Sequence, residues 1–309
     1  MTSALRGATR HACENDDVSI LSEQIKKATL TASPESLQQV LLACLRDSAR
    51  RNSPIVMACL IEQGADVTQI SSTSLVDTTN DTLPSLETLN VLIKHGWDMN
   101  NCSYRRRNHP LLWYVVRNNG LVKWCLEHEA EVDPEDDTPL GVRRHRKPIL
   151  ECAAVSSSIE TFELLRASGA PVSYNHGILP SAVMSICLDM PLTDEDSGSQ
   201  DYKRLMAMIR HLVDVVGCDV NSVSWDTCYG SGSICSTPLC WIACHKHRGA
   251  RELVRFLLDR GGDVDLAGPA DYHLVIPSAR RAATLGHNSY FLDLVAEWES
   301  EQQSRAFEF

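Results

Sequence analysis

Thiols and imidazoles crowd one stretch of this 309-residue chain: Cys228, Cys235, Cys240, Cys244, His245 and His247. Cysteine thiolates and neutral histidines are good zinc ligands, and Cys240 and Cys244, four apart, share a face if they lie on a helix. Against a metal, the stretch lacks a Cys-x-x-Cys pair, the spacing from which zinc is usually read. We assign no metal ligand and no cofactor, and zinc stays as the competing reading. A second constellation, Asp226, Cys228, Tyr229, His176 and His273, holds a nucleophile, bases and a carboxylate, and such residues need be adjacent only in space. No local catalytic motif accompanies it. The chain has no Gly-x-x-x-x-Gly-Lys phosphate loop, no Gly-x-Ser-x-Gly elbow and no His-Glu-x-x-His helix. His128-Glu129 is followed by Ala130, Glu131 and Val132, so the second zinc histidine is missing. No catalytic residue is assigned; the balance falls on a non-enzyme, with catalysis left open.

Charge marks two further runs. Tyr104 precedes Arg105, Arg106 and Arg107, with Asn108 and His109 after them, and Arg143, Arg144, His145, Arg146 and Lys147 form the second. The protein as a whole carries −11, which disfavours general nucleic-acid binding, because a basic domain is its usual footprint. Guanidinium groups at this density suit an acidic peptide, a phosphorylated segment or another anion. The plain alternative for either run is a solvated loop.

The elements that must position these residues are clearest from Thr237 to Asp265, TPLCWIACHKHRGARELVRFLLDRGGDVD. Thr237 caps a helix and Pro238 takes its first position, where a missing N–H costs nothing. Leu253, Val254, Phe256, Leu257 and Leu258 then recur at helical spacing, Gly261 supplies a left-handed stop, and Asp263-Val264-Asp265 leads into a turn. The unit recurs. Pro148–Val172 repeats it with Ala153 and Ala154 where helices touch and Gly169 as the stop, and Pro110–Val132 repeats it loosely, with Glu129 at the stop. Pro277–Trp298 keeps Ala282, Ala283, Gly286 and His287 and suits a capping unit. Three copies are worn or stretched: helices near 37–45 and 55–67 joined by a basic connection at 46–51, a helix over 86–94 with a poor partner near 74–76, and helices over 180–188 and 205–216 split by an acidic insert.

This pattern resembles the ankyrin repeat, whose first helix opens on a Thr-Pro-Leu-His-like tetrad and whose second closes on Gly-Ala-Asp. Here Cys240 stands in the histidine position and Gly262 in that of the alanine. The resemblance implies an all-α fold, an ankyrin-repeat solenoid of about seven helix-turn-helix repeats with capping helices. The expected organisation is a disordered segment over 1–18, a repeat domain over 19–300 and a tail over 301–309. The domain opens on a capping helix at 19–30 and carries an acidic insert near 191–201 and a long finger loop near 221–236.

In that family the loops before successive first helices project as fingers and, with those helices, line a concave face that usually binds another protein. The resemblance therefore sets Arg105, Arg106 and Arg107 beside Arg143, Arg144 and Arg146, with Tyr104 at the edge of the stripe. Later fingers bring Tyr174 and His176, then Trp225, Asp226 and Tyr229, then Tyr272 and His273, aromatic and polar residues of the kind found at hot spots or in small-molecule pockets. Trp113, Trp124 and Trp241 fall inside helices and read as core. The function expected is a non-catalytic scaffold or adaptor binding a protein, with an acidic or phosphorylated segment as its target. A small-molecule site or enzyme under the 221–236 loop is the alternative. Twelve scattered cysteines, several at helix positions such as Cys44, Cys59, Cys125 and Cys152, read as reduced core residues. No apolar run reaches the roughly 20 residues of a membrane span, and the first residues lack the apolar core of a signal peptide. The expected location is intracellular, cytoplasmic or nuclear, where the sequons at Asn80 and Asn101 stay unmodified.

Overall fold

The computed structural model describes residues 2–76, 82–102, 108–134, 147–172, 177–189, 199–223, 237–245, 250–267 and 277–307. Among them the chain is all-α, with fifteen α-helices and no strand. Backbone contacts divide it into two compact units, Met1–Arg146 and Lys147–Phe309, where the sequence suggested a single domain over 19–300.

The first unit holds α1 (Thr2–Asn15), α2 (Ser19–Thr31), α3 (Pro34–Arg50), α4 (Pro54–Glu62), α5 (Leu86–Lys94), α6 (Leu111–Val115) and α7 (Asn119–Glu127). Where the sequence suggested a disordered start over 1–18, α1 is formed. Leu5, Ala8 and Ala12 are buried with Thr9, one helical stripe that packs on α2 and α3. The basic run at 46–51 is not a connection either. Ser33 accepts the Ser36 N–H, Pro34 starts α3, and the helix runs on to Arg50 because Cys44, Leu45, Ser48 and Ala49 are all buried on one side of it. α3 pairs with α4, and α4 with α5. The first helix expected near 74–76 is a single 3-10 turn, Ser72–Ser74, against which α6 packs.

The second unit consists of α8 (Ile149–Ser156), α9 (Ile159–Ala167), α10 (Ile178–Asp189), α11 (Gln200–His211), α12 (Pro238–Cys244), α13 (Arg251–Asp259), α14 (Ala279–Leu285) and α15 (Ser289–Ala306), with a π turn at Leu212–Val216 after α11. Each odd-numbered helix here packs on its predecessor in the chain, and the first helices α8, α10, α12 and α14 pack one on the next. Small residues permit the close approach: Ala153, Ala154, Ala182, Ala243, Ala279 and Ala283 are fully buried, so these helices meet without long side chains between them. Ser199 caps α11, so the acidic insert ends at 198 and Gln200 and Asp201 are helical. α15 carries on through the expected tail as far as Ala306.

Candidate functional site

The unit read most fully from sequence is built as its residues require. The Thr237 hydroxyl accepts the Cys240 N–H at 3.2 Å and Pro238 begins α12. Leu239, Ile242, Leu253, Val254, Leu257 and Leu258 form its interior. Gly261, at φ +87°, turns the chain so that Gly262 donates back to the Leu257 carbonyl at 2.9 Å. Gly262 leaves no space for a side chain: a Cβ there would lie 2.8 Å from the Leu257 oxygen and 2.9 Å from Leu239 Cδ1. The same stop recurs at Gly64, Gly96, Glu129 and Gly169, all at positive φ, and at each the next residue's N–H returns to a carbonyl five positions back.

What binds one unit to the next was not read from the sequence. Asn221 donates from Nδ2 to the Gly261 carbonyl at 3.0 Å while its Oδ1 accepts the Asp263 N–H at 2.8 Å. Asn100 makes the same clamp on the Glu129 carbonyl and the Glu131 N–H, at 3.0 and 2.9 Å. In each case an aspartate two residues earlier, Asp219 or Asp98, accepts the asparagine's own N–H and fixes the turn. A faint signal existed, the recurring Asp-x-Asn after a left-handed stop. Asn288 repeats the logic at a cap, accepting from the Phe291 N–H and donating to the Ala243 carbonyl. Charge ties the second helices together: Arg210 pairs with Glu252, Arg260 with Asp214, Arg251 with Glu297 and Arg255 with Glu301. Between α9 and α11, burial pushes the Glu163 carboxyl up, but hydrogen bonds from Arg166 and His211 outweigh it and leave its pKa lowered.

The finger residues expected to meet a partner, Tyr104, Arg105, Arg106, Arg107, Arg143, Arg144, Arg146, Tyr174, His176, Trp225, Asp226, Tyr229, Tyr272 and His273, lie outside the described residues. Their anchor points are described. Asn108 donates to the Asn101 carbonyl at 2.9 Å, which joins the two ends of the segment carrying Arg105, Arg106 and Arg107. Lys147, at the end of the second basic run, lies 3.3 Å from the buried Glu151 carboxylate, which also accepts from Ser181 on α10 at 2.6 Å.

Of the thiol and imidazole cluster, Cys228, Cys235 and His247 also lie outside the described residues. Cys240 is buried and Cys244 exposed. His245 turns its Nδ1 to the Trp241 carbonyl at 2.8 Å and stacks on the indole, as His128 does on Trp124. Among the described residues no group of three or more His, Cys, Asp or Glu is placed to hold a metal ion. Trp124 and Trp241 are buried as expected of core rings, whereas Trp113, also expected in the core, is only half-buried. Cys44 and Cys125 are buried too, Cys59 and Cys152 are half-buried, and all four are free thiols.

Helical hairpins closed by left-handed stops, with first helices packed in series through small residues, define an all-α hairpin protein. Residues 236–268 match the family model described as ankyrin repeat, so the chain carries an ankyrin repeat there. No curated protein matches the chain. Ankyrin repeats commonly mediate protein binding, and the repeat suggests a protein partner in general. No described helix is long and apolar enough to cross a membrane.

Proposed function

We propose that this chain is a non-catalytic, intracellular protein-binding module, an ankyrin-repeat solenoid of about seven units that presents its finger loops and first helices to a partner. The observation that carries the reading is the ankyrin repeat at 236–268 together with the serial packing of α8, α10, α12 and α14. Serial packing leaves a row of finger bases along one edge, and a rigid framework holds binding loops without an ordering cost at each encounter. Arg105, Arg106, Arg107, Arg143, Arg144 and Arg146 supply bidentate donors for a carboxylate-rich or phosphorylated segment, and the aromatic residues Tyr174, Trp225, Tyr229 and Tyr272 supply anchors further along.

Capture of binding proteins by the wild-type chain and by a chain with Arg105, Arg106, Arg143 and Arg144 changed to Glu and Trp225 to Ala tests this. The proposal expects specific proteins retained by the first and lost from the second, with retention weakening as salt rises. Equal retention by both, indifferent to salt, removes the arginine surface from the account.

A further inference from the structure

The ankyrin framework leaves one side-chain pair unexplained. Cys240 has a packing role in the interior of the repeat, at 2 % exposure. Cys244, one turn later on the same face, is exposed at the last position of α12 and fills no core. The Cys240 thiol has two acceptors within reach, the Pro277 carbonyl at 3.5 Å and the sulfur of Cys244. On α10, Cys187 is close enough to feel charge on Cys244, yet it is buried. Cys244 is thus an exposed thiol with two buried thiols near it, Cys187 on α10 and Cys240 on its own helix, and Cys240 is the one that reaches it by a hydrogen bond.

We propose that Cys244 is a hydroperoxide-reactive modification site and that Cys240 resolves it, so that the two close a disulfide across the last turn of α12. In the first step the Cys244 thiolate attacks one oxygen of the peroxide. A sulfur–oxygen bond forms, the oxygen–oxygen bond breaks, and hydroxide leaves; sulfur is oxidised and peroxide reduced. In the second step the Cys240 sulfur attacks the Cys244 sulfenic acid, a sulfur–sulfur bond replaces the sulfur–oxygen bond, and the Cys240 proton leaves with the hydroxyl as water. The contrast among the cysteines favours this order. When the Cys240 thiol donates to Cys244 rather than to the Pro277 carbonyl, that hydrogen bond outweighs burial and lowers the Cys244 pKa to about 7, whereas burial pushes Cys125, Cys152 and Cys187 up to about 12. Thiolate is the reacting form.

Closing the bond has a structural consequence. Residues four apart on a helix hold their Cβ atoms about 5–6 Å apart, and a disulfide needs about 3.5–4.5 Å, so the last turn of α12 must distort. The distortion falls on the helix end, because Cys244 is its last residue and His245 is already extended. It works against the Asn288 bond to the Ala243 carbonyl and the His245 contact with Trp241. Cys240 must also release the Pro277 carbonyl, which lies just before α14. Oxidation thus loosens the join between the ankyrin repeat and the hairpin that follows.

The test uses the full reduced chain and hydrogen peroxide at limiting amounts. Chymotrypsin cleaves after Trp241, between the two cysteines, so a Cys240–Cys244 disulfide holds two fragments together until reduction, and mass spectrometry reads it directly. Limited alkylation of the untreated wild type at pH 7 should label Cys244 roughly threefold faster than an ordinary exposed thiol, from its larger thiolate fraction less its lower intrinsic nucleophilicity. Cys240→Ser keeps a hydrogen-bond donor but removes the resolving sulfur, so Cys244 sulfenic acid should accumulate and be trapped by a cyclic 1,3-dione. Cys240→Ala should slow the alkylation as well. Peroxide oxidising another cysteine first, Cys244 pairing elsewhere, or wild-type Cys244 alkylating no faster than a free, fully exposed thiol such as N-acetylcysteine at the same pH would each overturn the proposal. The wild-type alkylation and mapping decide it even if a variant fails to fold.

Discussion

Glu129 ends α7 in the left-handed region, at φ +66°, where the other second helices stop on Gly64, Gly96, Gly169, Gly217 and Gly261. A residue with a Cβ pays about 1–2 kcal/mol for that conformation, and glycine gives back about 0.5–1 kcal/mol through the freedom of its unfolded chain. The interactions Glu129 makes at this turn are backbone ones: its N–H donates to the Leu126 carbonyl and its carbonyl accepts from Asn100. Glu129→Gly keeps both, so it should stabilise the first unit by roughly 0.5–1 kcal/mol. Gly96→Ala is the mirror experiment. Nothing lies within 4 Å of the new Cβ there, so only the backbone term at φ +83° remains, and the variant should lose a similar amount. Urea denaturation of the full chain provides the assay, with exchange of the Ala130 and Trp97 amides, which donate to Cys125 and Leu92, as the local readout. At a urea slope of about 1–3 kcal/mol/M, the midpoint should rise by roughly 0.2–1 M for Glu129→Gly. A fall in that midpoint, or no change for Gly96→Ala, refutes the reading of these positions as obligatory left-handed stops.

Three further outcomes follow from the same geometry. Asn221→Ala removes both arms of the clamp on Gly261 and Asp263, should cost about 1 kcal/mol, and should speed exchange at the Asp263 amide; unchanged exchange there counts against the clamp. Arg280 donates through two nitrogens to Asp265, at 2.9 and 3.0 Å, and holds that carboxyl below its ordinary range. The folded-state pKa is thus the lower one, so the contribution is complete above the unfolded value of about 3.9 and is lost as pH falls through the folded value. The difference in denaturation midpoint between wild type and Asp265→Asn should be full near pH 6 and shrink below about pH 4; a difference independent of pH would contradict it. Amides of α5, which packs on α4 and is preceded only by the 3-10 turn Ser72–Ser74 in place of a first helix, should exchange faster than those of α3, as hydrogen exchange by mass spectrometry will show.

The parts of the fold that a sequence displays are those a single residue must satisfy alone. Gly261 and Gly169 announce a positive φ, Thr237 and Pro238 announce a helix start, and both readings hold. Features that depend on a distant neighbour were hidden. The clamp of Asn221 needs Gly261 and Asp263, some forty residues on, and the last turns of α15 are held by Arg251 and Arg255 of α13, which no apolar period reveals. α1 was missed because its buried stripe is Leu5, Ala8, Thr9 and Ala12: the spacing is helical, but small side chains carry little hydropathy. The run at 46–51 misled in the opposite way, since its arginines read as a loop while Ser48 and Ala49, between them, are buried. Of the cysteine cluster, the shared helical face of Cys240 and Cys244 was legible, but the exposure of Cys244 depends on what packs around α12.

The proposed solenoid would lay hairpins side by side and bring the loop with Arg106 next to the loop with Arg144. Spin labels introduced at these two positions through a genetically encoded reactive residue, because the 12 native cysteines preclude thiol labelling, measure that separation in solution. Neighbouring helices lie about 8–10 Å apart, so with label linkers the account predicts one population centred below roughly 20 Å. A population centred beyond about 35 Å, more than three helix spacings, would contradict it and remove the common binding edge.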